Sequence, residues 1–315
     1  MRWLRPGAVA VAVATLSLLP FALREHSYLL HLVILCLLYV CFASAWNIVG
    51  GFIGQISFGH AAFVGIGAYT TALLWLRLDV HPILTMPIAG AMAAAYGWFW
   101  GWPCLRLTGP YFAIATIGVG EATRLVMNNL EVTGGSSGLT LPTPESYSRL
   151  PDYYLVVCLA AITVGTSLWI ARSRFGLGLR AIRDDRDVAE SLGVPTARYQ
   201  LYALSISSFL AGMAGSFYAQ YIFYVVPEEV FGFDLSISMI LMALIGGLGT
   251  ILGPVVGAVL FLLLEQLLLV SFPNLHLGTF GLLLIAIVLF EPHGVGGVLR
   301  RFRNRVFRES ARGAS

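Results

Sequence analysis

RSRFGLGLRAIRDDRDVAESLGVPTAR, residues 172–198, is the one strongly charged segment between the two ends of an otherwise apolar chain. Six arginines (Arg172, Arg174, Arg180, Arg183, Arg186, Arg198) and four acids (Asp184, Asp185, Asp187, Glu190) fall inside it. Hydrophobic runs flank it on both sides. It therefore reads as a cytoplasmic loop of a membrane protein, long enough to hold structure of its own. A short helix is expected over Asp185–Leu192. Asp184 or Asp185 can cap its free N–H groups, the first turn is acidic, and Gly193 followed by Pro195 is a stop signal. Such a helix shows its charges to solvent and offers Val188, Leu192 and Val194 as a small apolar knob. The residues themselves leave two readings open: a solvated, positive-inside loop, or a helix that docks on a cytoplasmic partner.

Composition removes the soluble classes. Hydrophobic residues make up 58% and charged residues 11%, against roughly 25% charged in a soluble domain. Mean hydropathy is +0.82. All 19 basic residues are arginine. Without lysine there can be no Walker A phosphate loop and no Schiff base, so any ATP used is hydrolysed by another chain. The four cysteines (Cys36, Cys41, Cys104, Cys158) lack the spacing of a zinc site or a disulfide framework and read as small apolar fillers. No cofactor or metal site is expected.

Apolar runs cover 8–23, 28–49, 55–76, 83–103, 110–130, 153–171, 199–222, 235–250, 254–271 and 277–291. Most approach the ~20 residues a helix needs to cross the hydrocarbon. The expectation is an all-α polytopic membrane protein of about ten spans. Residues 1–299 form the membrane domain and 300–315 a basic cytoplasmic tail. Alternating the sides from a cytoplasmic start places fifteen arginines inside and three outside, with Arg124 within a span. That bias sets both termini in the cytoplasm. The tail RRFRNRVFR follows a span directly, which marks a topology determinant on anionic lipid rather than a nucleic-acid site. Glu131–Asp152, the longest outside segment, reads as irregular from its Gly, Ser and Pro content.

Two spans are rich in glycine: GGFIGQISFGHAAFVGIGAY (50–69) and LIGGLGTILGPVVG (244–257). Glycine at this density permits close helix contact or unwound backbone, both found where a membrane protein lines a pathway. Gly249, Gly253 and Gly257 would share one helix face at four-residue spacing. At an offset of 179, Ser57 matches Ser236, Gly67 matches Gly246 and Tyr39 matches Tyr218, a weak sign of an inverted repeat. Ionisable residues within the spans are His60, Glu121, Arg124 and Glu265. Each is a functional suspect by its cost in hydrocarbon. Glu121 and Arg124 stand three apart and can pair. His60 reads as a hydrogen-bonded packing residue, and Glu265 shows no partner in the sequence. The pathway candidates are Ser57, Gly59, His60, Gly65, Gly67, Tyr69, Gly118, Glu121 and Arg124. No nucleophile–base constellation appears, so catalysis is not expected.

Four motifs carry a family likeness: SFGHAAFVGIGAY (57–69), LRLTGPYFAIATIGVGEATRLVMNNLEVTGGSSGL (105–139), RSRFGLGLRAIRDDRDVAESLGV (172–194) and GGLGTILGPVVGAVL (246–260). Over nearly its whole length the chain resembles the LivM-type membrane permeases of ABC importers for branched-chain amino acids. The resemblance implies the ten-helix type II importer fold and a pore shared with a LivH-type second permease. It also implies two ATPase subunits below and a periplasmic binding protein above. Under it, the 172–198 loop becomes the coupling element, with Arg180, Arg183, Asp184, Asp185, Val188, Glu190, Leu192 and Gly193 as ATPase contacts. Similar permeases serve urea, short amides and other amino or aromatic acids. The reading from a different class is an ion-coupled secondary transporter with Glu121, Arg124 and Glu265 as its relay.

Overall fold

The computed structural model describes residues 19–20, 26–143 and 147–271, with side chains through residue 266. Most of the expected first span (8–23), the last span (277–291) and the tail (300–315) lie outside the described residues.

The described chain is almost entirely helical: α1 (Ser27–Asn47), α2 (His60–Leu78), α3 (Pro82–Cys104), α4 (Pro110–Asn129), α5 (Arg149–Arg172), α6 (Arg174–Asp184), α7 (Arg186–Ser191), α8 (Thr196–Ile222), α9 (Pro227–Val230), α10 (Phe233–Gly246) and α11 (Gly253–Ser271). Six helical stretches among the described residues are long and apolar enough to cross a membrane. This is an all-α polytopic membrane protein. Its single sheet among the described residues is a two-stranded clip, β1 (Leu139–Thr140) antiparallel to β2 (Tyr224–Val225).

α1 and α8 form the centre. From Val40 to Ile53 every residue is buried, so the second half of α1 is enclosed on all sides and is apolar apart from Ser44 and Asn47. α2, α3 and α8 pack through small residues. A Cβ on Gly67 would stand 2.0 Å from the Gly212 carbonyl oxygen, and one on Gly97 would stand 2.2 Å from Ser208 Oγ. With no hydrophobic drive between helices in lipid, such close approach and polar links hold them together. One link is a hydroxyl chain: Thr85 Oγ1 donates to Thr71 Oγ1 at 3.0 Å, and Thr71 is joined to Ser216 Oγ at 2.5 Å.

The turns gather at two ends. At one end, Arg186 Nη1 donates to the Leu105 carbonyl at 3.4 Å and Arg183 Nη1 to the Gly51 carbonyl at 2.5 Å. This end collects the α1–α2, α3–α4 and α10–α11 connections and the charged loop. At the other lie the β1–β2 clip and Arg149, whose Nη1 donates to the Ser27 carbonyl at 2.9 Å. Tyr147 donates to Asp152 Oδ2 at 2.5 Å there, and Gln220 Nε2 to Asp152 Oδ1 at 2.9 Å. Burial, and the Asp152 carboxylate beside it, push the Tyr147 hydroxyl above its ordinary range, so it stays protonated as the donor.

Three expectations change. α2 begins at His60, not near residue 55, because Gly54 (φ 82°) ends the preceding helix. Gly249 does not share a helix face with Gly253 and Gly257. Gly247 (φ 113°) and Gly249 (φ 71°) break the helix, and α11 starts only at Gly253. Residues 149–152, expected in the irregular outside segment, form the first turn of α5, capped by Ser148.

Candidate functional site

α1 does not stop cleanly at Asn47. Residues Ile48–Ile53 continue it as a π-helical turn, a form that is rare and frequent at functional sites. The chain then reverses at Gly54 and runs back along α1 without helical structure as far as Gly59. Trp46 Nε1 donates to the Ser57 carbonyl at 2.8 Å, which places Ser57 well above the end of the helix. Residues 54–59 are therefore irregular backbone at membrane depth, tolerated only where it is enclosed by protein or lines a cavity. Ser57 and Gly59 are buried and meet these conditions, whereas Gly54 and Ile56 at the turn itself are exposed. The Phe58 amide donates to Thr116 Oγ1 at 3.1 Å, and a Cβ on Gly59 would stand 2.4 Å from the Thr116 carbonyl oxygen.

His60 opens α2, fully buried. Ser207 Oγ donates to the Ala45 carbonyl at 2.6 Å and lies 2.9 Å from His60 Nε2. With the serine proton committed to Ala45, Nε2 must carry the hydrogen and donate to Ser207. The Ala61 amide donates to Ser236 Oγ at 3.0 Å, tying α2 to α10.

Beside this segment lies a cavity of about 210 Å³ between α2, α4 and α10. Phe58, Phe231 and Phe233 wall it, Gly59 and Gly120 leave its room, and Glu121 and Ser236 bring polar atoms to it. The Phe58 and Phe233 rings stack with centroids 5.6 Å apart. Such a chamber suits a small solute with an aliphatic or aromatic body.

Glu121 pairs with Arg124 through both carboxylate oxygens, and Arg124 also pairs with Glu228 on α9. Asn128 Nδ2 donates to Glu228 Oε1 at 2.9 Å. The side chains of Glu121 and Glu228 are 48% and 57% exposed in the single chain, so this triad is at a surface rather than inside. Glu265 has a neighbour that the sequence did not show, Tyr39.

The structure thus divides the pathway candidates. Ser57, Gly59 and Glu121 reach cavities, and Gly118 faces an open groove between α3 and α4. Gly65 and Gly67 are packing positions, with a Cβ on Gly65 falling 2.3 Å from the Phe231 ring. Tyr69 donates to the Val225 carbonyl at 3.2 Å and stacks on Phe231, supporting the β clip. The sequence reading missed Asn47, Thr116, Ser207, Ser236 and Glu228. A lone amide in an apolar run marked Asn47, but the partners of all five are distant in the chain.

The charged loop folds as two helices, not one. α6 presses Leu179 and Ile182 against the core. Asp185 alone joins it to α7, its Oδ1 accepting from the Asp187 and Val188 amides at 2.9 and 3.0 Å. Gly193 (φ 84°) ends α7. Val188 is 55% exposed and Leu192 77%, while Ala189 is buried beneath them. Asp184 and Glu190 are exposed. Arg180 Nη2 turns back to the Ala171 carbonyl at 2.7 Å.

A family model described as "Branched-chain amino acid transport system / permease component" matches residues 28–288. The LivM permease protein of the high-affinity branched-chain amino acid transport system of Escherichia coli (strain K12) is 31% identical over 294 residues, covering 83% of this chain and 68% of its own. The LivH permease protein of the same organism is 27% identical over 285 residues, covering 82% and 91%. BraD of Pseudomonas aeruginosa is 25% identical over 283 residues, covering 82% and 91%. No solved structure matches the chain. A helical membrane protein with an unwound, cavity-lining turn and a capped helix on its charged loop, so matched over most of its length, belongs to the branched-chain amino acid transport permease family as a LivM-type member.

Proposed function

We propose that this chain is one of two pore-forming subunits of an ATP-driven importer for branched-chain amino acids. A LivH-type permease completes the pore, a periplasmic binding protein delivers substrate, and two ATPase subunits engage the cytoplasmic face. The chain itself catalyses nothing. Ten spans cross the membrane within residues 1–299, both termini are cytoplasmic, and residues 300–315 lie on lipid. The gathering of the charged loop with three other connections at one end supports that topology.

Supporting the transport reading above all is the unwound stretch 54–59 beside the aromatic-walled cavity. Irregular backbone there can shift without breaking a helix, and the cavity welcomes an aliphatic side chain. We assign the pathway to Ser57, Gly59, Gly118 and Glu121, with His60, Gly65, Gly67, Tyr69 and Arg124 holding its shape. α7 is the docking helix: Val188 and Leu192 are apolar, exposed and adjacent, and the surrounding charges form a rim that orients the partner.

The test is uptake into proteoliposomes holding the complete complex with its own binding protein. ATP-dependent accumulation of labelled leucine is expected. Accumulation of urea or acetamide in its place would move the substrate class. Uptake that survives without ATP and collapses with an ionophore would sink the ATP-driven reading.

A further inference from the structure

Arg183 sits in the charged loop, where its position suggested a rim contact for an ATPase. Its side chain reaches the other way. Nη1 donates to the Gly51 carbonyl at 2.5 Å, a charge-assisted bond to backbone in the first glycine-rich turn. The stem passes over Gly54, where a Cβ would come within 2.9 Å of Arg183 Cγ. The same Nη1 borders the second turn, since a Cβ on Gly249 would stand 2.4 Å from it. The two turns also touch: a Cβ on Gly51 would lie 2.6 Å from the Gly249 nitrogen. One guanidinium therefore lies across both turns, which are about 200 residues apart in sequence. No carboxylate among the described residues pairs with it. Arg183 remains exposed along its flank, so this contact can break and reform without opening the core.

A mechanical connection to Arg183 is also present. α6 runs into α7 through the single residue Asp185. A force on the exposed Val188–Leu192 face is thus passed to α6, whose last turn carries Arg183. We infer that Arg183 is the positioning residue that carries movement of the α6–α7 unit to both glycine-rich turns, clasping them together at the cytoplasmic mouth of the pathway. This rests on the proposed docking of α7. A surface arginine that merely satisfied the positive-inside bias would need no such partners.

The test uses the complete reconstituted complex with its native cysteines replaced and Ile56→Cys introduced, an exposed position next to the clasped turn. Its reaction rate with a water-soluble maleimide is measured without nucleotide and with ATP trapped. In the parent, the rate should change severalfold between the two states. In Arg183→Met the change should vanish, and substrate moved per ATP should fall roughly tenfold or more, the scale of one charge-assisted hydrogen bond. Arg183→Lys keeps the charge but cannot span both turns, and should recover only part of each. A parent rate that ignores nucleotide overturns the inference, as does an Arg183→Met complex with the parent's response and coupling. Should Arg183→Met fail to assemble, Arg183→Lys decides: a full response overturns the clasp, a diminished one supports it. Leu192→Asp is read in parallel. Complexes of that variant that assemble and transport normally would remove the docking reading, while the Arg183 comparison reports separately on the turns.

Discussion

Asn47 and Thr250, 203 residues apart, are joined by a 2.9 Å hydrogen bond from Asn47 Nδ2 to the Thr250 carbonyl. Asn47 Oδ1 accepts from the Gly249 amide at 2.9 Å in return. One buried side chain thus satisfies a donor and an acceptor of a turn that has no helical partners for them. Asn47→Ala should strand both groups, at about 1–3 kcal/mol each. Asn47→Asp keeps the acceptor, loses the donor and buries a charge, so it should do at least as much harm. The apparent melting temperature of the purified complex checks this. An Asn47→Ala protein as stable as the parent would mean that water replaces the amide without cost.

The Glu121–Arg124–Glu228 triad should behave as a unit with an acidic excess. Arg124→Gln leaves two carboxylates facing each other, whereas Glu121→Gln leaves Arg124 still paired. Exposure of both carboxylates limits each pair to about 1 kcal/mol or less, not the several kcal/mol of a buried pair. Arg124→Gln should therefore be the worst single change, and adding Glu121→Gln should restore part of the loss. Strictly additive melting shifts across the cycle would show that the three do not interact.

Glycines of similar appearance should respond in opposite ways. Gly67→Ala drives a methyl to 2.0 Å from the Gly212 backbone and must separate α2 from α8. Gly253→Leu meets Thr250 Oγ1 and the Gly247 carbonyl within 2.4 Å at its first carbon. Gly118 has open space around it, so Gly118→Ala should be neutral or stabilising by up to about 1 kcal/mol from helix propensity. Folded yield by size-exclusion profile separates these. A tolerated Gly67→Ala would refute the close α2–α8 contact.

On α7, Leu192→Asp should leave the membrane helices folded, since the side chain touches solvent, yet reduce recovery of the ATPase subunits on co-purification. Gly193→Val should damage the same contact through the backbone. No atom crowds that position, but φ 84° strongly disfavours a β-branched residue. Normal co-purification of both variants would leave α7 a solvated connection.

Hydrophobic content, arginine placement and glycine density were enough to establish an apolar helical membrane protein with a structured charged loop. The Asp185 cap and Gly193 stop were legible because capping depends on neighbours within four residues. The Glu121–Arg124 pair was legible for the same reason, being three apart on one helix. Tertiary structure decided the rest. It alone showed that α2 starts at His60, that Gly249 belongs to a turn, and that Arg183 donates to the Gly51 carbonyl. Each of these depends on contacts between segments far apart in the chain, such as Ser207 to Ala45, Glu228 to Arg124, and Asn47 to Gly249 and Thr250. A periodic pattern reports which residues avoid water or lipid. It carries no information about which buried polar atom will find which partner, because that pairing is set only when packed helices bring the two within hydrogen-bonding distance.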